Sequence, residues 1–451
     1  MKIIIVGCGK VGYTLAEQLN EEGHDITLID TNSRKIDYAL STLDIQGIEG
    51  NGTSYRTQLE AGIKSSDLLI AVTGKDEINF LCCLIAKKTG NCNTIARVRN
   101  PEYYSEINYL RDELGLSLAI NPELECAMGI ARLIEVPSAL DITSFAKGRI
   151  NLIKLSIDEN SILNNMSVYD FATKIHSSTL ICAIERNHDV IIPYGDTYLK
   201  GGDNLYVIVP PSEIHNLLHK IGIKSKPIKS VMIIGGSTIA YYLAKHLESS
   251  HVKVKILERS METCEHLSDL LPHTMIINGD AVDRSLLLEE GIKETDAFVS
   301  LTNIDEENLV VSMFANRVSD AKIITKVDKI TFEEVIDDLP IGAVACPKNV
   351  TAKSIIQYVR AMQNSFGSNV ETLYRMLDDR VEALEFRIRQ NSKVTDTPLS
   401  ELNLKKNLLI CAIIRKGKVI TPSGKDTILK GDTVIVVTTN KGLKDIKDIL
   451  D

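Results

Sequence analysis

At 451 residues, with 44% apolar and 25% charged side chains, the chain has an ordinary globular composition but too much length for one core; a soft prior gives about three domains. Its 60 acidic and 51 basic residues leave a net charge of −9, which excludes a broad nucleic-acid footprint and leaves room for no more than a local basic patch. No apolar run approaches the ~18 residues of a membrane helix, and the longest, such as 408–414, are strand-sized.

Residues 1–7 read as an apolar strand entering a glycine loop with no cleavage site. A first strand rather than a signal peptide is therefore expected, and with it a cytosolic location. Strands are predicted at 3–6, 26–30, 68–73, 95–98 and 118–120, with amphipathic segments at 11–21, 76–88 and 101–114. Apolar strands alternating with helices predict a parallel sheet covered on both faces. A helix follows from Pro122 to Val136 and stops at Pro137. Segments 152–157, 178–184, 190–192 and 205–209 then read as strands with few helices among them. Pro193, Gly195 and Gly201-Gly202-Asp203 supply their turns, which predicts a small α+β lobe.

Residues 224–229 form a short polar join, after which the same order returns. Sliding the chain on itself by the distance from Gly7 to Gly235 sets Asp30 on Glu258 and Arg56 on Arg284. After a one-residue insertion Thr73, Asp76, Glu77 and Asn79 fall on Thr302, Asp305, Glu306 and Asn308. Leu180-Ile181-Cys182-Ala183-Ile184 then falls on Leu409-Ile410-Cys411-Ala412-Ile413, and Gly202-Asp203 on Gly431-Asp432. The expected fold class is α/β: two Rossmann-like parallel-sheet domains, each followed by a small α+β lobe, in tandem duplication. The boundaries are 1–135 and 136–222 in the first copy, 223–362 and 363–451 in the second. A helix is expected at 351–362, and the polar stretch 373–389 follows a segment read as linker.

Gly7-Cys8-Gly9-Lys10-Val11-Gly12 follows a strand, opens a helix and is answered by Asp30 roughly 20 residues on, the context of a dinucleotide fingerprint. Gly7 permits the tight turn, Gly9 lets a pyrophosphate approach the backbone, and Gly12 allows close helix–strand packing. Free N–H groups at the helix start hold the phosphates. Asp30 can accept both ribose hydroxyls and repels a 2′-phosphate, which favours NAD over NADP. The second copy keeps Gly235 and Glu258 but carries Ser237 and Ala240 at the later glycine positions, so its site is either occupied by an altered ligand or vestigial. Thr73, Asp76 and Asn79 open a helix at the ligand edge, where Thr73 or Asp76 can serve as the cap. Arg97, with Lys326 as counterpart, stands near a strand end and has either a phosphate-binding or a structural role.

No catalytic constellation is legible. Hydride transfer needs a positioned acid or base, and none of the nine histidines recurs at matching positions. His215 and His219 lie four apart on a predicted helix without an HExxH-type acid, so no metal site is assigned. The nine cysteines form no CxxC pair and read as small buried hydrophobes. The small lobe repeats no chemical group beyond turn glycines and Asp203/Asp432. A nucleotide fold without catalytic apparatus suggests a sensor whose ligand biases domain positions.

These residues, with Asn51-Gly52, Thr73-Gly74-Lys75-Asp76-Glu77-Ile78-Asn79, Ala96-Arg97-Val98-Arg99-Asn100-Pro101-Glu102-Tyr103, Gly279-Asp280-Ala281 and Thr302-Asn303-Ile304-Asp305-Glu306-Glu307-Asn308, carry a resemblance. The whole chain resembles the TrkA family, regulatory subunits of Trk potassium uptake built from tandem RCK/KTN units. The resemblance implies a cytoplasmic protein held at the inner face of the membrane through an integral potassium-translocating subunit, assembled as a homo-oligomeric ring. It implies NAD(H) in the first copy, with ATP or ADP as further ligands of some units. Gly7, Gly9 and Gly12 would then meet the diphosphate, together with the rest of the loop, Cys8, Lys10 and Val11. Asp30 would meet the ribose, Asn51 and Thr73 the adenosine, and Arg97 the phosphates; Gly235, Glu258 and Asp280 match family positions in the second copy. A potassium-efflux regulator and an NAD-dependent dehydrogenase are the competing readings.

Overall fold

The computed structural model describes residues 1–451 except 147, 176–178, 188, 224–225, 329–338, 364–369 and 378–379. Lys2–Val6 pairs in parallel with Asp25–Asp30 on one side and with Leu68–Ala71 on the other. The six-stranded sheet runs Gln46–Glu49, Asp25–Asp30, Lys2–Val6, Leu68–Ala71, Asn93–Arg97, Leu118–Ile120. The order reverses beside Lys2–Val6, and at such a switch point the loops leave a crevice outside the strand ends. The second sheet repeats this order with Ser230–Ile234 at the reversal.

Strand residues buried on both faces explain the continuous apolar runs: Ile3, Ile4, Ile5, Leu68, Leu69, Ile70 and Ala71 are all at most 1% exposed. The edge strands Gln46–Glu49 and Thr274–Asn278 are short and only partly buried, and the sequence pattern misses the first of them. It also misses the helix Ser33–Thr42, capped by Asn32, and it merges Pro101–Ser105 with Ile107–Leu114, which part at Glu106.

The small lobes are five-stranded antiparallel sheets of one order. In the first copy Asp141–Phe145 adds an edge strand and Val168–Ile175 a helix that were not anticipated. In the second, the polar stretch read as following a linker forms the paired strands Val370–Met376 and Val381–Arg387. Two of its charged residues, Glu382 and Glu385, are internal. Glu385, 5% exposed, accepts a hydrogen bond from the Ala146 amide (3.1 Å). The start of the supposed linker lies outside the described residues.

The two lobes share one core, in which Phe145, Ile150, Cys182 and Ile208 pack with Val381, Cys411, Ile435 and Val437. An ion pair that the sequence reading overlooked is duplicated here: Arg186 grips Asp203 (2.8 Å) and Arg415 grips Asp432 (2.8 Å). Contacts divide the chain into two compact units that pair like with like. Residues 1–130 with 230–358 form one, and 131–229 with 359–451 the other. Two of the three boundaries fall inside the helices Pro122–Glu135 and Pro347–Gln363, and the third precedes strand Ser230–Ile234; the second helix begins earlier than predicted because Pro347 suits a first helical turn. Among the described residues no helix is long and apolar enough to cross a membrane.

Candidate functional site

The glycine loop is built by three different demands. Gly7 has φ +106°, a conformation that an L side chain rarely adopts. A Cβ on Gly12 would stand 1.8 Å from the Gly7 carbonyl oxygen, so helix Lys10–Glu21 can approach the first strand only without one. A Cβ on Gly9 would meet nothing within 4 Å, because that position opens onto a cavity. Gly9 is also the N-cap residue and supplies no side-chain cap. The first-turn amides therefore present a positive end to the cavity, the arrangement that holds phosphate groups.

Asp30 faces this loop but already works within it. One carboxylate oxygen accepts from the Cys8 amide (2.6 Å) and the other from the Asn32 amide (2.8 Å). Each oxygen retains a second lone pair for a ligand hydroxyl. The Cys8 thiol is buried and donates to the Lys35 carbonyl, with burial foremost in pushing its pKa up. Cys8 and Gly12 thus lie beneath the loop and support it, whereas Gly7, Gly9, Lys10 and Val11 line the cavity.

The repeated spacing of Thr73, Asp76 and Asn79 proves to be a framework. Asn79, fully buried, accepts from the Thr73 amide (2.8 Å) and hydroxyl (2.7 Å) and donates to the Arg97 carbonyl (2.9 Å). Asn308 repeats these bonds with Thr302 and Lys326. Neither Thr73 nor Asp76 caps the helix Asp76–Gly90, whose N-cap is Lys75. Asp76 instead accepts from the amides of Arg99 (2.7 Å) and Asn100 (2.8 Å), and Asp305 does the same for Asp328. Thr73 nevertheless reaches the cavity wall, as do Asn51 and Arg97.

The cavity holds about 800 Å³ and is walled by both Rossmann-like halves, which belong to one compact unit. From the second copy come the loop Gly236, Ser237, Thr238 and Ile239, then Asn303, Lys326, Asp328, Pro347 and Thr351. Arg97 donates to the Thr73 carbonyl (2.6 Å), while its Nε is buried without a partner. Burial lowers its pKa, with neighbouring Arg99 adding to the effect. Arg99 pairs with Glu123 (2.7 Å) and Lys326 with Asp328 (3.0 Å). Arg97 and the open Gly9 face line the same cavity, so a cationic side chain and an uncapped helix end meet in one place that suits an anionic ligand.

The second loop differs in kind. Ser237 caps its helix, accepting from the Ala240 amide (3.4 Å), so part of the anion-binding end is already satisfied. Glu258 repeats the Asp30 bonds, to Gly236 (2.6 Å) and Ser260 (2.6 Å). Where the first copy has Ile78, the second has Glu307, whose pKa is raised by burial and by Asp280 and Glu258. Gly235, Glu258 and Asp280 do not line the shared cavity.

Sequence reasoning missed Lys35, Arg99, Glu123, Asp328 and Thr351 on the wall. Two of these were within reach: alternation along Arg97-Val98-Arg99 and Lys326-Val327-Asp328 puts the first and third residue of each on one side of a strand end. Among the described histidines, His24 is buried against the N-terminus (3.4 Å) and His215 and His219 are exposed on the helix Ile214–Lys220. His176 and His188 lie outside the described residues. None of the nine cysteines is in a disulfide, and eight are buried. Among the described residues no group of three or more His, Cys, Asp or Glu is placed to hold a metal ion.

With this geometry in view, comparison with known proteins gives a consistent result. Residues 3–122 and 231–347 match the TrkA-N domain family, and residues 152–222 and 383–451 match the TrkA-C domain family. The chain is similar to the Trk system potassium uptake protein TrkA homolog of Archaeoglobus fulgidus, 33% identical over 450 residues and 100% of both chains. It is likewise similar to the Trk system potassium uptake protein TrkA of Haemophilus influenzae, 32% identical over 445 residues, 98% of this chain and 96% of that one. Among solved structures it shares the fold of the GsuK channel, with a TM-score of 0.64 at 16% identity over 98% of this chain and 77% of the other. The GsuK channel bound to NAD gives a TM-score of 0.63 at the same identity and coverage.

Proposed function

The chain belongs to the TrkA family, and on that premise we propose that it is a cytoplasmic nucleotide-sensing subunit that gates a membrane potassium-translocating subunit of Trk type. It binds NAD(H) in the first copy and acts without turnover. The observation that carries this reading is the first-copy loop, with a Gly9 face open to a charged cavity and an uncapped helix end behind it. The diphosphate lies over Gly7, Gly9, Lys10 and Val11, the ribose on Asp30, the adenosine near Asn51 and Thr73, and the phosphates toward Arg97. Supporting context comes from the solved GsuK channel bound to NAD and from a second one bound to ADP, which share the fold.

On this reading 1–135 and 223–362 are the nucleotide-fold domains, and 136–222 and 363–451 the regulatory lobes. Because both copies wall one cavity, a ligand at the first loop touches the second and can bias their arrangement. Chains assemble as a homo-oligomeric ring beneath the membrane partner, with ATP or ADP as further ligands. The second-copy loop, capped by Ser237 and flanked by Glu258, Asp280 and Glu307, is the weaker anion site.

Calorimetric titration of NAD, NADH, ATP and ADP against wild type, Asp30→Ala and Glu258→Ala tests the assignment. Asp30→Ala loses a charged acceptor worth about 2 kcal/mol and weakens NADH roughly thirtyfold, whereas Glu258→Ala leaves that event in place. Equal NADH affinity in wild type and Asp30→Ala would remove the assignment.

A further inference from the structure

We infer that Asp328, a residue of the second copy, sets the ligand preference of the first-copy loop by disfavouring triphosphates relative to dinucleotides. The inference rests on the nucleotide reading above. One Asp328 oxygen stands 3.0 Å from the Lys326 ammonium and 3.9 Å from that of Lys10, across the cavity that the two copies share. Lys10 is the first residue of the helix whose uncapped end faces the cavity. Lys326 is held within the second copy, since its side chain is 5% exposed and also donates to the Thr302 carbonyl (3.1 Å). The carboxylate therefore already offsets the two cations that extra phosphate charge would use.

The fold fixes this position in both copies and reverses its charge. The Asp328 amide donates to Asp305 as the Arg99 amide donates to Asp76, so Asp328 and Arg99 are equivalent places at equivalent strand ends. Arg99 is paired with Glu123, and Asp328 with Lys326. A diphosphate diester brings roughly two negative charges at neutral pH and a triphosphate chain roughly four. Each added charge near Lys10 must also approach Asp328, whose side chain is 24% exposed and so incompletely screened.

The test uses the full chain and competition between NADH and ATP, with Asp328→Asn, Asp328→Ser and Asp328→Glu beside wild type. Both neutral variants are expected to raise the ratio of ATP to NADH affinity about tenfold, the effect of one unit charge a few ångströms away in a polar cavity. Asp328→Glu is expected to hold the wild-type ratio. A ratio unchanged in both neutral variants, with wild type binding NADH, overturns the inference and leaves the nucleotide reading standing. Wild type binding no nucleotide at all overturns both.

Discussion

Gly9 and Gly12 differ by three positions and by what surrounds them, and that difference separates binding from folding. A methyl on Gly9 projects into open space from a backbone with ordinary dihedrals, φ −80° and ψ −172°, so Gly9→Ala should leave thermal stability almost unchanged. It fills the face over which phosphates must lie, so NADH binding should fall below detection. A methyl on Gly12 meets the Gly7 carbonyl, and Gly12→Ala should cost about 2 kcal/mol through a displaced loop. Paired denaturation and titration of the two variants check this; equal destabilisation by both would contradict the geometry. Ala240 stands at the Gly12 position in the second copy, buried, beside a loop whose helix is capped differently.

At the scale of elements, the duplicated Arg–Asp clamps fasten the small lobes. Asp203 is 1% exposed and accepts from both Arg186 and the Lys200 amide (2.8 Å). Arg186→Ala leaves that carboxylate buried without its cation and should cost about 3 kcal/mol in urea denaturation. Loss of less than about 0.5 kcal/mol would show the pair to be passive. Strand Lys322–Lys326 gives a pH signature. Burial pushes Lys322 down to about 8, below its ordinary 10.5. Between those values the unfolded chain holds more protons than the folded one, so stability rises with pH across that window and is flat below it for this group. Lys322→Met should abolish the rise in denaturation midpoints between pH 8 and 10, measured against wild type in parallel.

These elements also show what a sequence can disclose. Runs buried on both faces, such as Ile3-Ile4-Ile5, announce central strands, and the glycine loop announces its own turn. Edge strands such as Gln46–Glu49 carry no apolar pattern because one side is solvent. Val381–Arg387 misleads for the opposite reason: its glutamates are internal, held by backbone donors on distant segments. The site was half legible. Gly7, Gly9 and Asp30 advertise themselves by spacing along one segment, whereas Asp328 matters through a contact with Lys10 that duplication alone brings about.

For the whole molecule, duplication yields two compact units by pairing equivalent parts, so the nucleotide-fold halves act as one body with one shared cavity and the lobes as another. A ligand there need not trigger chemistry to have an effect; differential contact with the two copies suffices. The most direct test is potassium flux into vesicles that contain the membrane translocating subunit and the purified chain, with and without NADH. The account predicts a flux that changes with NADH for wild type and not for Gly9→Ala. Flux indifferent to nucleotide, with a wild-type chain that binds NADH and associates with the vesicles, would contradict it.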